Sequence, residues 1–155
     1  PEFRFMYSYY LTLGKGFETE IGYRYNQQQD IKLSSGIFAL GKYFKNNWIN
    51  LRTSFQISEP KLYPSFTSTF RHYYNTKYDY FSINLGYGTS PDERETLTQF
   101  QDRIALTSYR FGAGYSKLFA KKYVIGVNTG FNNQEYFPEK FQNEYNISID
   151  LTYLF

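Results

Sequence analysis

Ten ionisable residues stand on the polar side of a two-residue repeat: Arg4, Glu18, Glu20, Arg24, Lys32, Arg52, Arg71, Arg110, Glu144 and Asp150. Acids and bases that share a face can do two things. They can neutralise one another and fill a space, or they can leave a basic strip for an anionic solute. Acids and bases are interleaved along this chain, which favours neutralisation, because an unpaired charge in a confined site is costly. The expected lumen charge network comprises Arg4, Glu18, Glu20, Arg24, Arg52, Arg71, Arg110 and Asp150, with Arg24, Arg52, Arg71 and Arg110 pairing with Glu18, Glu20 and Asp150.

Other chemistry is sparse. There is one histidine, His72, and no cysteine. Counting from Phe66 and Phe70 puts His72 on the apolar side near a short turn, as an interfacial residue. No Ser-His-acid arrangement accompanies it, and a lone imidazole makes neither a nucleophile relay nor a metal site. The stretch "GYGTSPDERET" concentrates Gly86, Gly88, Ser90, Pro91, Asp92 and Glu93. Its two glycines leave room, Ser-Pro-Asp is turn chemistry, and the acids lack the spacing of a calcium loop. No catalytic residue, cofactor site or metal site is assigned. With 17 basic and 14 acidic residues and no dense basic run, the chain is not built for nucleic acid.

What must position these groups is a set of strands. Alternation of apolar and polar residues recurs in nine stretches: 3–13, 17–26, 31–44, 48–58, 65–75, 78–88, 103–119, 123–133 and 143–155. Each is near or above the ~9–11 residues that cross a bilayer as a tilted strand. No stretch has a helical period; 94–101 is read as loop. Ile49, Leu51, Phe55 and Ile57 oppose Asn50, Arg52, Ser54 and Gln56, and the last strand sets Ile147, Ile149, Leu151, Tyr153 and Phe155 against Ser148, Asp150 and Thr152. Aromatics form 23% of the chain and gather near strand ends, at Tyr23, Tyr25, Tyr43, Phe44, Tyr73, Tyr74, Tyr109, Tyr123 and Tyr153, as interfacial girdles would. Connections alternate between short (14–16, 45–47, 76–77, 120–122) and longer (27–30, 59–64, 89–102, 134–142), the asymmetry of periplasmic turns and outer loops.

The fold expected is therefore an all-β, antiparallel, up-and-down transmembrane barrel, a single domain over 1–155. Nine strands cannot close antiparallel, so a tenth strand before Pro1 is expected, with eight strands as the alternative. The terminal Tyr153 and Phe155 have the character of an assembly signal read by the barrel-insertion machinery.

"GYGTSPDE" (Gly86–Glu93), followed by strands that end on Phe155, resembles the YaiO-type outer-membrane barrel family. "RHYYN" (Arg71–Asn75) is similar to an Arg-Pro-Tyr-like element there, with His72 in place of the proline. The resemblance implies a bacterial outer-membrane location, contact with membrane lipid and lipopolysaccharide, and a link to surface polysaccharide or other envelope proteins. It supplies no catalytic residue. The function expected is a non-enzymatic accessory or anchor of an envelope complex. A narrow pore for small solutes or polysaccharide is the alternative, and an enzyme acting on lipid or glycan comes third.

Overall fold

The computed structural model describes residues 3–28, 31–58, 61–88, 108–137 and 139–155. They form nine strands: β1 (Phe3–Gly14), β2 (Phe17–Gln28), β3 (Ile31–Phe44), β4 (Asn47–Ser58), β5 (Lys61–Tyr73), β6 (Tyr80–Tyr87), β7 (Ser108–Phe119), β8 (Tyr123–Phe137) and β9 (Lys140–Tyr153). All belong to one sheet in chain order, and every neighbouring pair is antiparallel. Among the described residues β1 is paired only by β2 and β9 only by β8, so the sheet is not closed. Eight successive antiparallel steps, an even number, also make β1 and β9 run parallel.

Burial follows the two-residue repeat, but with the sense of a soluble protein inverted. Among the described residues only Leu33, Ile37 and Ala39 are buried apolar groups, whereas eleven polar ones are buried. Phe38, Leu51, Phe66, Leu85, Phe111 and Val127 all stand exposed on the opposite face. Unpaired polar groups and charges would be costly against hydrocarbon, so this arrangement suits a wall with lipid outside and a polar lumen inside.

The ladder also shows where the strands end. Lys61–Pro64 belong to β5, and β8 and β9 run to Phe137 and from Lys140, so the longer connections expected at 59–64 and 134–142 shrink to two residues. The apolar parity of Leu62, Pro64 and Phe66 carries the strand through. Proline is tolerated there because its carbonyl, and with it the missing N–H, points toward Gly88, beyond the last β5–β6 pair, Phe66 with Tyr87. The length asymmetry rests on one connection, from β6 to β7, most of which, with Ser90, Pro91, Asp92 and Glu93 and the 94–101 segment, lies outside the described residues. On the other side Lys15 and Gly16 close β1–β2 with positive φ at both positions (50° and 79°), the geometry of a two-residue hairpin. A side chain at Gly16 would put its Cβ 2.6 Å from the Tyr43 carbonyl oxygen.

Candidate functional site

The lumen divides into two unlike halves. Across β2, β3 and β4 it is filled. Glu20 and Arg52 are both in register with Ala39, one on each side of β3. Ala39 is small enough for the two to meet over it, and Arg52 Nη2 lies 3.3 Å from Glu20 Oε1. The Ser8 hydroxyl donates to the same oxygen from β1 (2.8 Å). Gly41 plays the corresponding part for Glu18: a Cβ there would lie 2.6 Å from the Glu18 side chain, which crosses it to accept the Trp48 indole N–H (2.7 Å). Ser54 and Ser65 share a buried hydroxyl–hydroxyl bond (2.6 Å).

At the end of the short turns Arg71 lies between two rings, with its guanidinium carbon 5.0 Å from the centres of both Trp48 and Tyr80. Tyr43 leans on Trp48 and Tyr73 on Tyr80. These tyrosines have luminal parity. So Tyr43 and Tyr73, expected in a lipid-side girdle, belong instead to a luminal collar around Arg71.

Across β5 to β9 the lumen is open. Gly86, Gly112 and Gly130 lie on three adjacent strands, with Gly112 paired directly with Gly130; the Arg110 side chain crosses Gly86 and that of Asn146 crosses Gly130, which leaves the backbone bare at Gly112. A cavity of about 550 Å³ runs over them, bordered by Thr67, Thr69, Asn84, Arg110, Asn132, Gln134, Glu144 and Asn146. Arg110 Nη2 donates to the Gly88 carbonyl (2.8 Å), and Asp150 accepts from Asn128 Nδ2 (2.8 Å).

The register sets Arg4, Glu18, Glu20, Arg24, Arg52, Arg71, Arg110, Glu144 and Asp150 on one face of the sheet. One expected ion pair, Glu20–Arg52, is formed, whereas Glu18 takes an indole and Arg71 takes rings. Lys32 is a correction. It pairs with Gln27 and shares parity with Phe38 and Leu40, which puts it on the lipid side at the strand end, where a long cation reaches the interface. His72 is on the lipid side as expected, its Nδ1 donating to Asn47 Oδ1 (2.7 Å) beside the Phe81 ring.

This polar lumen inside an apolar sheet coincides with a match to a known family: the model of the YaiO membrane beta barrel domain matches residues 1–93. The chain belongs to that family. No curated protein matches it, and no solved structure does. Strands β7 to β9 lie beyond the matched residues and continue the YaiO sheet with the same parity.

Two further features complete the wall. In the β5–β6 connection, which spans Tyr74–Asp79 rather than a tight turn at Thr76-Lys77, Asp79 is buried. Its carboxylate accepts the Thr76 hydroxyl and N–H and, from β7, the Leu118 N–H. The Thr76 hydroxyl first, then Leu118, hold that carboxyl below its usual range. Tyr74 stacks on Tyr115 and donates to its hydroxyl (3.0 Å); desolvation and this bond push Tyr74 up to about 12. Nothing in period-two reading reveals this latch, although Thr-x-x-Asp is a turn-forming combination. At the other feature, Tyr153 packs on Tyr123 and Phe155 meets Tyr153 edge-on, so both residues of the expected assembly signal lie on the lipid side.

Proposed function

We propose that this YaiO-family membrane barrel resides in the bacterial outer membrane and acts without catalysis, as an accessory or anchoring component of an envelope complex linked to surface polysaccharide. What supports this reading is the filled half of the lumen. Glu18, Glu20, Arg52 and Arg71 are each committed to a neighbour within the wall, which suits a scaffold that holds its shape better than one that passes solute. Membrane lipid and lipopolysaccharide would cover the outer face, and the assembly machinery would meet the chain at insertion.

A second reading, a narrow pore, is favoured by the cavity over Gly86, Gly112 and Gly130. Planar-bilayer recording of the purified protein separates the two. The anchor reading expects little or no conductance, and a large, stable, ohmic conductance would replace it with the pore.

A further inference from the structure

The open half of the lumen differs from the filled half in chemistry as well as in space. Its border is dominated by carboxamides and hydroxyls: Asn84, Asn132, Gln134 and Asn146, with Thr67 and Thr69. A carboxamide offers two donors and a two-lone-pair acceptor without net charge, so it can meet a hydroxyl in either role. The two charged residues at the border, Arg110 and Glu144, have opposite sign. The cavity therefore has no net charge with which to select an ion. Asn132 adds a demand of its own, because its Oδ1 is buried and has no hydrogen-bond partner among the described residues.

The floor supports the same assignment. A Cβ at Gly112 would have its nearest neighbour 3.4 Å away, so packing of the wall does not require glycine there. The absent side chain leaves room for something else. At about 550 Å³ the space is that of a small-molecule site.

We infer that this trough binds an uncharged polyhydroxylated chain, a neutral oligosaccharide, laid over Gly112 with its hydroxyls shared among the flanking carboxamides. The inference rests on the polysaccharide link proposed above and names the chemistry that would carry it.

The test is calorimetric titration of the protein in a detergent without a sugar headgroup. Maltohexaose and cellohexaose serve as neutral probes and hexagalacturonate as the anionic comparator. The expected result is binding of a neutral probe with an affinity that salt does not change. Gly112→Leu should weaken it about tenfold or more by filling the floor, and Asn132→Ala should weaken it without adding bulk. Gly36→Leu, on the lipid side where a Cβ meets nothing within 4 Å, should leave binding as it was. Binding of no neutral probe, equal binding by Gly112→Leu and Asn132→Ala, or salt-sensitive preference for hexagalacturonate would each overturn the inference. Conductance is read separately: a protein that binds and conducts keeps the trough and loses the anchor, and one that does neither loses only the trough.

Discussion

Removing the cation from the Glu20–Arg52 pair tests the filled lumen most directly. The two residues stand two strands apart, about 10 Å between backbones at the usual strand spacing, so only a side chain as long as arginine closes the distance over Ala39. Arg52→Met keeps most of the stem and removes the charge. Breaking a buried ion pair from one side costs roughly 3–5 kcal/mol. Here the Glu20 side chain is 10% exposed and that of Arg52 29%, and Ser8 still donates to the carboxylate, which offsets part of the loss. The expected cost is about 2–3 kcal/mol. Glu20→Gln alone should cost less, about 1 kcal/mol, since an amide still accepts from Arg52 and Ser8. The double variant should cost less than the sum of the two, because it strands no charge. Urea unfolding in lipid vesicles measures all three, with the single tryptophan, Trp48, as reporter from within the same half of the lumen. A coupling energy below about 0.5 kcal/mol would refute the claim that these charges hold one another.

Other consequences follow from the same wall. Because the folded carboxyl of Asp79 is held below its ordinary value of 3.8, its contribution is complete above that pH and fades as pH falls through the lower folded value; thermal melts of Asp79→Asn should lose that part of the acid dependence, and an unchanged profile would count against the latch. Leu51→Lys puts a cation into lipid and should cost about 2–4 kcal/mol near the bilayer midplane, whereas Asn50→Lys, one residue away in the lumen, should cost under about 1 kcal/mol by vesicle unfolding; equal costs would reverse the assignment of faces. Deleting Phe155 should lower the yield of barrel inserted in cells while leaving refolding in detergent intact, and equal insertion would show that it is no assembly signal.

The faces of this sheet were legible because strand parity is a local property. Ile49 and Arg52 reveal their sides without knowledge of any partner strand. The contacts of the charges were not legible in the same way, since they depend on register. That Glu20 meets Arg52 follows only once both are known to be level with the small Ala39, and that Arg71 is boxed by Trp48 and Tyr80 follows only from two ladders together. Strand ends were misjudged at 59–64 because proline reads as a loop unless the neighbouring ladder is known to have stopped. Lys32 reads as luminal from its polarity, whereas its parity near the strand end puts it with Phe38 and Leu40. The trough is bordered by residues far apart in sequence, Gly86, Gly112 and Gly130 among them, that come together only after β6, β7 and β8 are aligned.

The strict chain order of the strands has a bearing on how the protein acquires its shape. Substantial contacts join only strands that are consecutive in the chain, so no distant segment has to be found before a pairing can form. Each step except the one from β6 to β7 closes a short loop, and hairpin formation of that kind takes on the order of microseconds. The sheet can therefore grow by adding one strand to an existing edge, as a linear array does. The hazard in such growth is a slip of one residue at a single ladder, which would turn every later side chain to the wrong side of the wall. Side chains that reach past a neighbouring strand, such as Glu20 meeting Arg52 and Glu18 meeting Trp48 across β3, span more than one ladder. They act as proofreading marks, stable only when the count on both ladders is right.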